Sequence, residues 1–296
     1  LWQGHWHGGM TVYQALLDYA IAVNDFSLKL FVREGYENYR GAGYPCIGWF
    51  DAQGCAPGRM IALAIKLCDA GVGDYWDDVE QYIRNMGIEV QVQRPELIKK
   101  ISHAGPEHKP EPGFEEWGDQ VIDQCVGAHW GNANPDGGTN DLIVSGCCTG
   151  NPGYFCAWEA TVRYNPADQT ARINMLLNRA SPWLDIDSYL PYEGKVVVKN
   201  KSAKTVFLRA PGWADKKAVQ CFVDQAPVAA VWNENYLLFD RLNNNSVITV
   251  TFPMVEWTKK IGKLTFLMKG NTCIDISPRG NYKYPMFVRD NYRKNT

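Results

Sequence analysis

The stretch VSGCCTGNPGYFCAWEATVRYN, residues 144–165, lies at the boundary between two sequence patterns. Before it, apolar residues recur every three or four positions, which predicts helices. After about Glu159 they recur every second position, which predicts strands. The pair Cys147–Cys148 falls in the last loop of the helical part, and loops on a rigid scaffold often carry function. The boundary therefore decides the fold class and marks a candidate site.

Length, charge and hydropathy limit the class of protein. With 296 residues the chain has room for roughly two domains. Its net charge of −2 argues against a nucleic-acid or anionic-membrane partner. Apolar runs such as MIALAIKL are much shorter than the ~20 residues that a membrane span needs. The chain begins abruptly at Leu1, which is typical of a processed product or fragment, so we expect missing N-terminal sequence.

Helical hairpins joined by short loops are predicted for residues 1–158. Asn24 or Asp25 suits the N-cap of FSLKLFVREGYENYR, and Asp74 is the expected cap of YWDDVEQYIRNMG. About four to six helices are predicted, whereas a closed ring of six helical hairpins needs about twelve. They form either a small bundle or part of a barrel. The remaining helical segments are MTVYQALLDYAIAV, GRMIALAIKLCDAG and the weaker EEWGDQVIDQCV.

Strands separated by turns are predicted for residues 159–296, at spacings that suit a β-sandwich. The fold class expected from the two halves is therefore α+β and multidomain. The predicted strand segments are ATVRYN, ARINMLLNR, GKVVVKN, KTVFLRAPGW, AVQCFVD, YLLFDRL and SVITVTFPM.

The nine cysteines, an odd number at irregular spacing, argue against a disulfide scaffold. Cys68 and Cys221 lie in apolar patterns and are interpreted as core residues. Unpaired thiols favour a reducing cytoplasm, while a missing N-terminus leaves export open. For Cys147 and Cys148 three interpretations stay open: a strained disulfide between neighbours, two unrelated buried thiols, or two sulfurs directed at one ion.

The segment DAQGCAPG, residues 51–58, is the best source of further metal ligands. Cys55 lies in its Gly- and Pro-containing loop before a helix, with Gln53 two residues earlier. Glycine neighbours give the loop of Cys147 and Cys148 the backbone freedom to bring both sulfurs together. A zinc–thiolate site needs such convergence. Spacing alone does not exclude three unrelated thiols, because no Cys-x-x-Cys pair occurs.

Four segments together resemble glycoside hydrolase family 127, the β-L-arabinofuranosidase family, and its uncharacterised relatives. The resemblance extends from about His7 to Arg279. It implies the C-terminal part of an (α/α)6-type helical barrel followed by a β-sandwich. The segments are GCCTGN, MLLNRASPWLDIDSYLPYEGKVVVKN, FLRAPGWAD and AIKLCDAGVGDYWDDVEQYIRN.

The resemblance also implies a zinc ion held by a Glu-x-Cys segment and a Cys-Cys pair. Cys55 matches the cysteine of Glu-x-Cys, Cys147 the nucleophile and Cys148 its neighbouring ligand. Gln53 stands where the family has glutamate. Because glutamine is neutral and binds zinc weakly, the implied site would be altered, completed by water, or lost.

Further site residues follow from the same resemblance. Glu37, sixteen residues before Gln53, is the implied general acid/base, and Glu34 is the alternative. Without the resemblance both glutamates would be interpreted as solvated charges on a helix. His7 resembles a sugar-contacting histidine, and His129 and Trp130 would line a sugar subsite or simply pack in their loop.

The expected function is that of a retaining glycoside hydrolase with a zinc-bound cysteine nucleophile. Its substrate would be a β-L-arabinofuranoside or a related plant or algal sugar. A non-catalytic or divergent carbohydrate-binding protein on the same scaffold is the alternative. A barrel hydrolase or lyase that uses only aromatic and acidic residues would leave the double cysteine unexplained. Either a homodimer or an additional N-terminal segment would complete the barrel.

Overall fold

The computed structural model describes residues 6–103, 121–140 and 150–292. The first half of the chain is helical, as its apolar periodicity predicts. A π-helical turn, Ile83–Gly87, directly follows the fourth helix. The helices are α1 (Trp6–Ala22), α2 (Phe26–Ala42), α3 (Ala56–Asp69), α4 (Trp76–Tyr82), α5 (Pro95–His103), α6 (Val121–Gln124) and α7 (Asn151–Ala160).

Helix α3 is the centre of the helical layer. It contacts α1, α2, α4 and α7, and most of its apolar residues are buried because it has neighbours on several sides. The carboxylate of Asp25 accepts the Leu28 N–H at 3.0 Å, which confirms Asp25 as the N-cap of α2. Among the described helices, none has the length and apolar character to cross a membrane.

The second half of the chain forms strands, which confirms every predicted strand segment at least in part. The short strand β1 (Gly138–Thr139) pairs with the last strand, β16 (Tyr284–Pro285). The other strands are β2 (Val162–Asn165), β3 (Thr170–Ile173), β4 (Arg179–Ala180), β5 (Leu184–Ser188), β6 (Lys195–Asn200), β7 (Thr205–Arg209), β8 (Gln220–Val223), β9 (Ala226–Val228), β10 (Trp232–Asn233), β11 (Tyr236–Phe239), β12 (Val247–Thr251), β13 (Glu256–Ile261), β14 (Leu264–Lys269) and β15 (Thr272–Ser277).

Two larger sheets share one hydrophobic core. The five-stranded sheet has the order β10-β11-β7-β3-β2, with only β3 and β7 parallel, and the six-stranded sheet has the order β4-β5-β6-β12-β8-β9. In the six-stranded sheet, Val198 lies opposite Ile248 and Val196 opposite Val250. All four are buried, because alternate residues of a strand point to the same face.

The third sheet, β13-β14-β15, packs against the helical half and shares a hydrophobic cluster with it. Phe266 and Cys273 share a hydrophobic cluster with Met86, Val90 and Trp130. Residues 256–277 therefore pack against the N-terminal helical half, although they follow the two larger sheets in the sequence. The division into domains at residues 158 and 159 stays a prediction.

Helix α4 joins the helical half to the strands. Asp74 is not the cap of this helix, contrary to the prediction, because Tyr75 occupies the N-cap position. The Asp74 carboxylate instead accepts hydrogen bonds from Arg209 and Asn235. Asp77 binds the same Arg209 at 2.9 Å and accepts the Gly212 N–H. These long-range partners, which no local pattern shows, explain the acidic first turn of α4.

Candidate functional site

Two helix N-termini meet at the candidate site. Helices α3 and α7 each carry a proline and then a glycine in their first turn. A Cβ atom on Gly58 would lie 1.9 Å from the Gly150 carbonyl oxygen, and one on Gly153 would lie 1.8 Å from that of Gly58. Since no side chain fits at these distances, glycine is required for the two helices to touch at their first turns.

Cys55 lies at this junction, immediately before α3, and is buried. A Cβ atom on Gly150 would be 2.7 Å from the Cys55 carbonyl oxygen and 3.1 Å from its Cβ. The N-termini of α3 and α7 both carry partial positive charge.

Cys147 and Cys148, the predicted nucleophile and its neighbouring ligand, lie outside the described residues. The description of the chain resumes at Gly150, which is the residue in contact with Cys55. Within the three described ranges, no group of three or more His, Cys, Asp or Glu side chains could hold a metal ion. The zinc site therefore stays a prediction.

Gln53 and His7 are brought together by the structure. The side-chain oxygen of Gln53 accepts the backbone N–H of His7 at 3.4 Å, and its amide nitrogen donates to Asp51 at 3.2 Å. Gln53 thereby links residues 51–58, here called the ligand loop, to the first turn of α1. A carbonyl oxygen has two lone pairs, so one remains for a second donor or a metal ion.

Trp130 faces away from solvent. Its indole is fully buried against Tyr284, with ring centroids 4.7 Å apart, while its backbone lies against the ligand loop. A Cβ atom on Gly54 would be 1.8 Å from the Trp130 carbonyl oxygen. The indole of Trp130 is therefore part of the core, and its backbone packs against the ligand loop. Its predicted contact with a sugar stays a prediction.

His129 is buried and stacks on Tyr154, with ring centroids 5.1 Å apart and an interplanar angle of 8°. Sequence reasoning missed Tyr154, although it follows Gly150 by four residues and so lies on the same face of α7. Burial, and to a smaller extent the charge of Cys55, raises the pKa of Tyr154.

Glu37 lies on the side of α2 that faces α4. Its carboxylate forms an ion pair with Arg40 at 3.5 Å. Burial, and to a smaller extent the Glu37 carboxylate, raises the pKa of Tyr75. In the part of the chain that the structure describes, no hydrogen bond or ion pair joins Glu37 to Cys55. Glu34 is exposed on the same helix. The roles of both glutamates stay predictions.

Four other cysteines are protonated at neutral pH because burial raises the pKa of their thiols. Burial raises the pKa of Cys68 to about 12 and that of Cys221 to about 11, so both stay protonated at neutral pH. Both pack in or against hydrophobic clusters, which confirms their interpretation as core residues. Burial likewise raises the pKa of Cys46 and of Cys273 to about 12.

We expect the buried His129 to make stability depend on pH. Burial lowers the pKa of His129, whereas in the unfolded chain it titrates near 6.5. The unfolded state then binds more protons, so stability falls as the pH decreases through about 6.5, by at most about 1.4 kcal/mol per pH unit. Urea unfolding at pH 7.5 and 5.5 should show this loss, and the loss should be smaller in His129→Phe. Identical pH dependence in both proteins would contradict the expectation.

Comparison with known proteins finds likeness at the level of structure. No protein-family model and no curated protein matches the sequence. A family 127 β-L-arabinofuranosidase from Geobacillus stearothermophilus T6 has a TM-score of 0.61 at 16% identity over 91% of this chain. A second family 127 β-arabinofuranosidase has a TM-score of 0.62 at 17% identity, also over 91% of this chain.

The matched region spans about half of each solved structure, 46% of the first and 47% of the second. At this level of identity the likeness is one of fold. It shows that the mixed helical and sheet architecture of the chain corresponds to part of these larger enzymes.

Proposed function

We propose that the chain is part of a retaining glycoside hydrolase that acts on a β-L-arabinofuranoside or a related plant or algal sugar. The contact between Gly150 and Cys55 is the observation that carries this proposal. Gly150 is two residues after Cys148, and Cys55 is the third predicted sulfur ligand. The contact therefore brings the chain just after the double cysteine against Cys55. The fold likeness to two β-L-arabinofuranosidases supports the same assignment.

The covalent chain makes a common site for the three sulfurs feasible. Thr149 alone separates Cys148 from Gly150. Consecutive Cα atoms are 3.8 Å apart, so Cys148 is tethered within about 7 Å of Gly150 and Cys147 within about 11 Å. Both distances allow the side chains to share one ion with Cys55, because zinc–sulfur bonds measure about 2.3 Å.

The finer fold belongs to the same proposal: the helices are the C-terminal part of an (α/α)6-type barrel, and the two larger sheets are its β-sandwich. Helix α1 supports this because it is apolar on opposite faces. Met10 and Leu17 are fully buried, whereas Val12 and Tyr19 are 46% and 60% exposed. A helix that is apolar all round is normally covered all round. An N-terminal segment or a second copy of the chain would cover it.

The proposed metal ligands are Cys55, Cys147 and Cys148, completed by Gln53 or water. The described residues fit this set in part, since Cys55 is a buried thiol beside two helix N-termini. Gln53 is a weaker, neutral ligand, and one of its lone pairs already accepts the His7 N–H. When bound, zinc would keep the coordinating thiols deprotonated at neutral pH.

The chemistry follows from a thiolate and a carboxyl group. The Cys147 sulfur would attack the anomeric carbon while the protonated Glu37, or Glu34, gives its proton to the leaving oxygen. The same glutamate would then take a proton from water, which displaces Cys147 from the anomeric carbon. Two inversions retain the configuration. His7 and His129 would contact the sugar.

A non-catalytic or divergent carbohydrate-binding protein is the second candidate. Gln53 favours it, because a neutral amide removes one negative charge from the implied ligand set. The half-exposed Glu37 also favours it, because among the described residues its carboxylate pairs with Arg40 and no hydrogen bond joins it to Cys55. Such a protein would bind arabinofuranosides without hydrolysing them.

Metal analysis of a Cys55→Ser variant tests the proposal. We expect about one zinc per chain in the unaltered protein and at least a tenfold weaker zinc affinity in the variant, because a serine hydroxyl is a poor zinc ligand. Cys221→Ser is the matched control, since Cys221 lies in the core between the two larger sheets. Elemental analysis and competition with a chelator measure both quantities.

The same preparations separate the two candidate functions. Hydrolysis of p-nitrophenyl β-L-arabinofuranoside with retained configuration supports the enzyme. A metal-free protein that binds the glycoside without cleaving it supports the carbohydrate-binding alternative. Full zinc occupancy in Cys55→Ser would refute the proposed ligand set.

A further inference from the structure

A cavity of about 430 Å³ lies between α7 and the β4 edge of the six-stranded sheet. This volume is typical of a small-molecule site. One wall is Trp158 of α7, which is 50% exposed. Because Trp158 follows Gly150 by eight residues, the cavity is about 12 Å along the helix from the contact with Cys55. The polar residues that line it are Asn178, Arg179, Asp185, Asp187 and Lys199.

Arg179 is a buried cation at this cavity, with only 8% of its surface exposed. Its nitrogen Nη1 donates to the carbonyl oxygens of Trp158 and Glu159 in the last turn of α7. The guanidinium group also lies over the Trp158 ring, 4.4 Å from the ring centroid. These contacts hold the cation beside an exposed indole.

No carboxylate forms an ion pair with Arg179 among the described residues. Its nitrogens Nε and Nη2 have no hydrogen-bond partners there, and only Nε is fully buried, so Nη2 keeps access to solvent. Burial lowers the pKa of Arg179, as expected for a cation that has lost water without gaining an anion. Carboxylates around it have other cations: Asp185 pairs with Lys201 at 2.6 Å, Asp187 with Lys199 at 2.8 Å, and Glu159 with Arg163 at 3.5 Å.

The end of α7 compensates this cation only in part, since a helix C-terminus carries about half a negative charge. Buried charges in folded proteins are normally paired. A buried arginine that opens onto a cavity without a paired carboxylate therefore indicates a place that an anionic ligand completes.

We propose that the cavity binds a hexuronic acid residue of an acidic glycan. Arg179 pairs with the sugar carboxylate through Nη2, and the sugar ring lies against the exposed part of Trp158. Asp185 and Asp187 accept hydrogen bonds from sugar hydroxyl groups, and their lysine partners compensate their charge. This binding site goes beyond the proposed function, because it uses none of the proposed catalytic residues.

Two matched sugars isolate the contribution of the charge. Methyl D-galacturonide carries a carboxylate where methyl D-galactoside carries a hydroxymethyl group. The unaltered protein at low salt should bind the galacturonide at least about tenfold more tightly, because a hydrogen bond to a charged group is about twice as strong as a neutral one. Titrations followed by the NMR signals of the indole N–H groups measure both affinities, and the signal that is missing in Trp158→Ala identifies Trp158.

Arg179→Gln removes the cation and should abolish the preference, so that the two sugars bind within about twofold of each other. Arg172→Gln is the matched control, because Arg172 also lies over an aromatic ring, 4.8 Å from the centroid of Tyr236. This control should keep the preference for the galacturonide. Thermal unfolding of each variant shows whether it is folded, since Arg179 also contacts the end of α7.

Trp158→Ala is the second test and does not depend on the stability of Arg179→Gln. Loss of the exposed ring should weaken the binding of both sugars at least about fivefold and leave the preference for the galacturonide. Phe26→Ala is the matched control, because Phe26 is a 62% exposed aromatic residue on α2. Its affinities should equal those of the unaltered protein.

Each result decides a different point. Equal affinity of the unaltered protein for the two sugars overturns the pairing of Arg179 with a carboxylate. Unchanged affinities in Trp158→Ala, or displacement of the galacturonide by an equal concentration of acetate, overturn the recognition of a sugar ring. A protein that binds the galacturonide and neither binds nor cleaves arabinofuranosides contradicts the proposed function alone, and the reverse contradicts this inference alone.

Discussion

Replacement of Arg289 by leucine is expected to cost about 3–5 kcal/mol of unfolding free energy. The side chain is 7% exposed and forms an ion pair with Glu89 at 2.7 Å. Its two terminal nitrogens donate to the side-chain oxygen of Asn85 and to the carbonyl oxygens of Cys273 and Arg84. Leucine would leave the Glu89 carboxylate without its cation and would remove one donor from each of the three oxygens, which is the costly way to break a buried pair.

The large effect is expected because Arg289 joins segments distant in sequence. Asn85 belongs to the π-helical turn and Cys273 to β15, and Asn85 also donates to the carbonyl oxygen of Asn271 at 2.9 Å. The loss would therefore loosen the third sheet from the helical half. Urea unfolding followed by circular dichroism measures the change.

Arg241→Leu is the matched control for Arg289→Leu. Its side chain is 94% exposed, and its ion pair with Asp240 is 3.8 Å long. Such a surface pair contributes little, so the control should stay within about 0.5 kcal/mol of the unaltered protein. The double variant Arg289→Leu/Glu89→Leu should be less destabilised than Arg289→Leu alone, because it leaves no unpaired buried charge. Equal stability of Arg289→Leu and the unaltered protein would refute this account.

Local periodicity sufficed to predict the helices α1 to α3 and the strands β2, β3, β6, β7, β8, β11 and β12, whereas β5, β9 and β10 lie in segments for which no strand was predicted. Each of these predicted elements is determined by which of its residues face a core, and that apolar pattern is visible within the segment itself. The same holds for the N-cap Asp25, whose partner lies three residues away. By contrast, Asp74 was mistaken for a cap because its true partners, Arg209 and Asn235, are far away in the chain.

The position of the third sheet could not be predicted for the same reason. Its two turns carry Gly262 and Gly270 at positive φ, a local signal that is visible in the sequence. Its partners in the core are Met86, Val90 and Trp130, which only the complete fold brings to it. None of the predicted strand segments extends into β13, β14 or β15, and the turn glycines alone leave open where their sheet packs.

In the candidate site, too, local features could be predicted from the sequence and long-range contacts could not. Cys55 could be selected as a candidate ligand because a cysteine in a Gly- and Pro-containing loop before a helix is a local feature. Tyr154 was missed because its significance depends on α3 and α7 lying side by side. That contact requires glycine at Gly58 and Gly153, and the sequence shows these glycines without showing that they face each other.

Cys147→Ala is expected to lower kcat/KM for arabinofuranoside hydrolysis at least ~1,000-fold, the largest effect on activity that the proposal implies. Alanine has no nucleophile, so the covalent route through a thioglycosyl intermediate would be closed. A thousandfold loss corresponds to about 4 kcal/mol of transition-state stabilisation. Initial rates with p-nitrophenyl β-L-arabinofuranoside measure the change, and the zinc content of the variant shows whether the metal is retained.

Cys156→Ala is the matched control, because Cys156 lies on α7, nine residues after Cys147, and has no place in the proposed site. It should retain the activity of the unaltered protein. Rapid quenching of the unaltered enzyme during turnover should give a single pentosyl adduct on the peptide that contains Cys147, detected by mass spectrometry. That adduct distinguishes a nucleophile from a ligand, since a cysteine that only binds metal never bonds to the sugar. Undiminished turnover by Cys147→Ala, or an adduct on another residue, would rule out Cys147 as the nucleophile.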